Sequence, residues 1–131
     1  MSLLEKIKNS EGFRPRPYKC SRGVLTFGHG LTYITEEESE QLVKNRIESL
    51  TFQIDNLMRD EEISIDDTRK EVLIEMAYQL GVKGLSKFYR MLKALRDMDY
   101  NTAADEMLNS LWARQTPQRC KRLSEVMRNG L

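Results

Sequence analysis

Glu11, Cys20, Thr26 and His29 all fall in the segment EGFRPRPYKCSRGVLTFGHG, residues 11–30, which is too rich in Gly and Pro to be a helix. A carboxyl can donate a proton, a thiol can serve as nucleophile or anion, and a hydroxyl can orient water. Glu11 stands at the end of an amphipathic run, where the negative end of a helix dipole and partial burial are expected to disfavour the charged form of a carboxyl. A general acid working near neutral pH needs that protonated state. An ordinary thiol, with a pKa near about 8.5, is mostly neutral at pH 7 unless cations lower it. Lys19, Arg14 and Arg22 are the nearest candidates in sequence.

The other chemistry such residues support is metal binding. Cys20 and Cys120 lie far apart, there is a single histidine, and no CxxC spacing occurs. The ligand spacings of a zinc site and the pairing pattern of a disulfide framework are both absent, so neither metal nor cofactor is expected. Cys120 reads as a small buried apolar residue.

Local signals outline the elements that position these groups. Ser2 and Glu5 form a capping box ahead of Leu3, Leu4 and Ile7, which predicts a helix over residues 3–10 that stops at Gly12 and Pro15. Aromatic and β-branched residues between Tyr18 and Tyr33 predict a small β-hairpin turning near Arg22-Gly23. Thr35 and Glu38 form a second capping box, and Leu42, Val43, Ile47, Leu50, Ile54 and Leu57 keep helical period to about Met58. Four further helices are expected: one capped by Asp66 or Asp67 and ending at Gly81, one from Ser86, one after Asn101, and one from Pro117 to near Gly130. The fold expected is mainly α (α+β): a hairpin lobe (12–35), a connecting helix (36–58) and a helical lobe (1–11 and 59–131) in a single domain, with a ligand cleft between the lobes.

Net charge is +1, but residues 1–35 and 111–131 each sum to +4 and the intervening residues to −7. Two basic ends suit an anionic polymer. No stretch approaches the roughly 20 apolar residues of a membrane-spanning helix. The N-terminus lacks the continuous apolar core of a secretory signal, so the protein is expected in the cytoplasm unless another factor releases it. A nucleic-acid-binding role would rest on the basic ends alone, without a recognisable reading motif.

Glu11, eight residues, Cys20, five residues, Thr26, then Gly28 and Gly30 resemble the catalytic pattern of the phage-type lysozymes, the T-even phage endolysin family (glycoside hydrolase family 24). AYQLGVKGLSKFYRMLKAL and SLWARQTPQRCKR resemble that family's later motifs, in family order. The resemblance implies a lysozyme-like fold and hydrolysis of the β-1,4 bond between N-acetylmuramic acid and N-acetylglucosamine in bacterial peptidoglycan. It implies Glu11 as proton donor, Thr26 as positioner of the attacking water, and Cys20 in the place usually held by an aspartate. It also implies Gln79, Leu31, Tyr78 and Trp112 as substrate-side positions, Trp112 being mainly structural. Arg119 matches the arginine that pairs with the catalytic glutamate. A thiolate at Cys20 restores a negative charge, orients water with Thr26 or attacks the sugar, and the sequence leaves all three open.

Most members read G-x-G-His, whereas here His29 lies between Gly28 and Gly30, one position earlier, and it is expected on the opposite strand face in a structural role. The resemblance further implies a monomer that acts on the bacterial wall, either as an endolysin held in the host cytoplasm until a holin releases it or as a tail-associated or bacterial effector muramidase, which would look the same in sequence. It implies neither nucleic-acid binding nor stable membrane insertion. The competing reading is a peptidoglycan-binding module that lost catalysis with its aspartate.

Overall fold

The computed structural model describes residues 1–131 and contains seven helices and one two-stranded sheet. Two compact units are present, Met1–Val43 and Lys44–Leu131.

In the first unit, α1 (Leu3–Glu11) starts at the expected capping box. The Glu5 amide donates to Ser2 Oγ, and the Ser2 amide returns a bond to Glu5 Oε2, both at 3.1 Å. Gly12 ends the helix at φ +68°, and its amide bonds Lys8 O. Strands β1 (Arg14–Lys19) and β2 (Leu25–Gly28) pair antiparallel with Tyr18 opposite Thr26, and the register shifts between Arg14 and Tyr18. The turn between them falls where the sequence placed it. Gly23 N donates to Cys20 O at 2.8 Å with Gly23 at φ +76°, while Cys20 N bonds Val24 O at 3.0 Å. This is a tight turn followed by a left-handed glycine, the geometry a three-residue hairpin loop favours.

Beyond β2 the chain turns again at once. Phe27 and Leu31 exchange two backbone hydrogen bonds of 2.8 Å around Gly28-His29-Gly30. His29 therefore occupies a turn, so the expectation of a strand face does not apply to it. Its ring contacts Phe13, with centroids 5.1 Å apart.

Helix α2 (Glu36–Asp60) opens at the Thr35–Glu38 capping box and contains the boundary between the units. Of its periodic apolar positions Ile54 is fully buried, Leu50 and Leu57 pack beside the core, and Leu42 and Ile47 are exposed.

The second unit adds α3 (Asp67–Leu85), α4 (Tyr89–Arg96), α5 (Tyr100–Leu108), α6 (Leu111–Gln115) and α7 (Pro117–Asn129). Asp66 caps α3 by accepting from Arg69 N, and Gly81 breaks it at φ +76°, ψ 156°, so Gly81 does end the regular helix. Ser86 does not begin the next one. Its hydroxyl donates to Lys83 O at 2.7 Å and closes the preceding turn, and α4 starts at Tyr89. Asp99, rather than Asn101, caps α5, and Ser110 starts the separate short helix α6. Pro117 and Gly130 bound α7 as expected.

The core of this unit gathers Leu73, Met76, Leu85, Met91, Leu95, Met107, Trp112, Leu123 and Met127. Four of these are methionines, whose flexible thioethers fill irregular gaps between short helices. α5 packs against α4 and α7, with the small Ala103 and Ala104 buried on it. No helix is long and apolar enough to cross a membrane.

Candidate active site

Glu11, Cys20 and Thr26 all lie in the first unit. Glu11 is the last residue of α1 and is exposed rather than partly buried. Its side chain rests on Gly30: a Cβ placed there would stand 2.5 Å from Glu11 Cδ and 2.9 Å from Cγ. The glycine at the far end of the second turn is therefore a steric requirement of the carboxyl's position.

Cys20 lies diagonally across the hairpin from Thr26, whose direct partner is Tyr18. The backbone N–H groups of Arg22 and Val24 are directed at the thiol, and together with the Thr26 hydroxyl and the Arg22 charge they hold its pKa below the ordinary thiol value, against a smaller opposing effect of desolvation. Among the three nearby bases the sequence offered, Arg22 is the one that contributes charge, but backbone dipoles from the turn contribute more. Arg14 is engaged elsewhere, its guanidinium 4.7 Å from the centre of the Tyr18 ring.

Thr26 is buried, with 4% of its surface exposed, and its hydroxyl donates to Val24 O at 2.9 Å. A hydroxyl has one proton and two lone pairs. While Thr26 donates to Val24 O, its lone pairs are free to accept from a thiol or a water. A thiolate at Cys20 instead draws the proton toward sulfur. The pair thus responds to the charge state of Cys20.

The remaining sequence-derived positions divide between the units. Leu31 closes the Phe27–Leu31 turn and is half exposed. In the helical unit Trp112 is 3% exposed and donates its indole N–H to Gln79 Oε1 at 2.9 Å, with Phe88 edge-on at 6.3 Å. Trp112 is a core residue that fixes the orientation of the exposed Gln79 amide, beside the half-exposed Tyr78. Phe88 also lines a depression of about 290 Å³ with Lys87, Tyr89, Arg90, Met91, Glu106 and Asn109. Arg119 Nε donates to Glu75 Oε2 at 2.9 Å, and Arg122 bonds the same oxygen. Glu75 is absent from the sequence reading, because its partners lie 44 and 47 positions away. Cys120 is fully buried, its thiol 3.3 Å from Met107 O, and burial pushes its pKa up.

Seven helices and one small hairpin, with Glu, Cys and Thr gathered around glycine-bounded turns, define a mainly helical lysozyme-like protein. Residues 8–128 match the family described as phage lysozyme, and the chain belongs to that family. It is 34% identical over 99 residues to a probable T4-type lysozyme 1 of Dictyostelium discoideum, covering 74% of this chain and 58% of that protein. It is 27% identical over 121 residues to the endolysin of Salmonella phage P22, covering 83% of this chain and 79% of that one. The pre-baseplate central spike protein Gp5 of Enterobacteria phage T4 is 25% identical over 161 aligned positions, covering 99% of this chain and 28% of that protein. The chain spans 58% of the length of the two Dictyostelium relatives it matches.

Proposed function

We propose that this chain is a muramidase, hydrolysing the β-1,4 bond between N-acetylmuramic acid and N-acetylglucosamine in bacterial peptidoglycan. The observation that carries the reading is the seating of Glu11 on Gly30 in the same unit as the Cys20–Thr26 pair, at the family spacing. Glu11, in its protonated form, donates to the glycosidic oxygen as the C–O bond breaks. Water accepted by Thr26 and polarised by Cys20 attacks the anomeric carbon and loses a proton to the thiolate or to solvent. Negative charge at Cys20 stabilises the oxocarbenium-like transition state, the task of the second carboxylate in most glycosidases. Under this assignment the product has inverted configuration.

Gln79, Tyr78, Leu31 and Trp112 form or support the substrate side, and Arg119 is the supporting base of the reaction. The names of two relatives, both endolysins, favour an endolysin role for this chain. In that role it acts as a monomer on peptidoglycan after holin-dependent release from the host cytoplasm.

The test is loss of turbidity of outer-membrane-permeabilised cells, with Glu11→Gln beside the native protein and a thermal melt of each. A folded but inactive Glu11→Gln variant supports the reading. Lysis at the native rate by that variant rejects Glu11 as the acid, and inactivity of the native protein favours a wall-binding module.

A further inference from the structure

Past the register shift in the hairpin, Arg14 stands opposite Gly28. One step further out lie Phe13 and His29, whose rings meet with centroids 5.1 Å apart and planes tilted by 42°, within the range that aromatic pairs favour. The next step reaches Gly30, on which the side chain of Glu11 rests. Backbone bonds around these contacts are local. Gly12 N turns back to Lys8 O at 2.9 Å, and the turn that contains His29 closes on itself through the Phe27–Leu31 bonds. His29 stands between two glycines, the residue type with the widest backbone freedom. Burial does not account for Phe13, because 62% of its surface is exposed, and His29 is itself partly exposed.

We infer that Phe13 and His29 are positioning residues for the reaction proposed above: their ring contact fixes the Gly28-His29-Gly30 turn against the end of α1, and so holds the Glu11 carboxyl in one place relative to Cys20 and Thr26 on the hairpin. This rests on Glu11 acting as the general acid. All of these residues belong to the Met1–Val43 unit. Without the contact, the turn and the helix end move separately and the carboxyl meets the glycosidic oxygen in fewer of its conformations. Such a misplacement slows the chemical step while leaving substrate affinity nearly unchanged. The role requires a ring at position 29, not a titratable nitrogen.

The experiment is a double-mutant cycle on the full chain, measuring the initial rate of reducing-end release from purified peptidoglycan over a range of substrate concentrations, well below the melting temperature of every variant, with Glu11→Gln as reference. Phe13→Ala and His29→Ala are each expected to lower turnover by about tenfold with little change in half-saturating concentration. The double variant is expected to be no slower than the slower single one, because either change removes the same contact. His29→Phe, which keeps a ring, is expected to recover most of the native turnover. A pair that served stability alone would lower the melting temperature and leave turnover at the native rate.

The inference is overturned if Phe13→Ala or His29→Ala turns over at the native rate while Glu11→Gln is inactive, if the two losses multiply in the double variant, or if His29→Phe is as slow as His29→Ala. Phe13→Ala, at an exposed position, decides the matter should the His29 variants fail to fold. Native turnover by Glu11→Gln, or inactivity of the unmodified chain, would instead remove the general-acid reading, and the inference with it.

Discussion

The side chain of Glu11 lies so close to the Cα of Gly30 that any Cβ there would stand 2.5 Å from its carboxyl carbon. The helix that ends in the acid and the turn that follows β2 are thereby coupled through a single missing side chain. Gly30 also adopts φ +76°, where an L-residue costs roughly 1–2 kcal/mol.

Gly30→Ala is therefore expected to displace Glu11 as well as strain the backbone. Gly81 has the same φ of +76° but nothing within 4 Å of its Cβ position, so Gly81→Ala isolates the backbone cost. Both variants should lose about 1–2 kcal/mol in a denaturant melt, but only Gly30→Ala should also lose most of its lytic rate at 25 °C, about tenfold or more. Equal lytic rates in the two variants would mean that the contact with Gly30 does not place the acid.

What the sequence displayed of this site was governed by distance along the chain. The capping boxes at Ser2–Glu5 and Thr35–Glu38, the stop at Gly81, and Pro117 and Gly130 around α7 were legible because each is a bond or a dihedral among neighbouring residues. Ser86 misled for a related reason. A serine hydroxyl serves as well at the end of one helix, donating to Lys83 O, as at the start of the next. The helix expected after Asn101 begins at Tyr100, capped by Asp99 through the Thr102 amide, one of several residues nearby whose side chains suit a cap. The Glu75 clamp and the Gln79–Trp112 bond depend on how α3 meets α6 and α7, which no local pattern encodes. The hairpin that carries Cys20 and Thr26 was legible, because its register is set by the turn at Arg22-Gly23.

Stability of the helical unit should depend on the way Arg69 closes α7. Its Nε donates to Met127 O at 2.6 Å, its Nη2 to Arg128 O at 3.1 Å and its Nη1 to Asp66 at 2.9 Å, while its guanidinium lies 3.6 Å over the Tyr100 ring. The last carbonyls of a helix have no partners within the helix, so Arg69→Ala uncovers them and removes the stacking contact together. A loss of about 2–3 kcal/mol in a denaturant melt is expected. Arg69→Lys should recover only part of it, because an ammonium cannot span three acceptors in a plane. A change below about 0.5 kcal/mol for Arg69→Ala, the range of ordinary surface substitutions, would show that water replaces these bonds without cost.

Acid should destabilise the protein through a small set of carboxylates. Burial raises the pKa of Glu75, but the bonds from Arg119 and Arg122 outweigh it and leave it below the usual range. Burial likewise opposes the bonds from Arg69 at Asp66, with the same net direction. The Thr35 amide and hydroxyl lower Glu38, and Thr102 lowers Asp99. Each group has a lower pKa folded than unfolded, so its contribution is fully present above the unfolded carboxylate values of about 3.9–4.3 and is lost as pH falls through the folded ones. Unfolding free energy should be nearly flat from about pH 5 to 7 and fall below about pH 4. Glu75→Gln should shallow that fall, and an unchanged acid slope in that variant would remove Glu75 from the set.

The two thiols should part company under alkylation, and the consequence bears on the reaction itself. Cys20 is partly exposed with its pKa lowered by the Arg22 and Val24 amides, while Cys120 is buried with its pKa raised. Iodoacetamide at neutral pH should therefore modify Cys20 at least about tenfold faster than Cys120, read by mass spectrometry of the intact chain and its peptides. Modification adds bulk beside Thr26, so loss of lysis after it does not by itself assign chemistry to sulfur. The substitutions do. The same backbone N–H groups that face the thiol can donate to an aspartate carboxylate, which is ionised at neutral pH without assistance. Cys20→Asp is accordingly expected to retain much of the native lytic rate, whereas Cys20→Ser, which keeps a hydrogen-bonding group but no accessible negative charge, should lose about tenfold or more. Cys120→Ser should keep native lysis and show only the stability cost of a hydroxyl in the core. Native lysis by Cys20→Ser would leave Glu11 and Thr26 as the reacting pair and make the thiol a bystander. A covalent thioglycosyl adduct with retained anomeric configuration would make sulfur the nucleophile, in place of the attacking water proposed above.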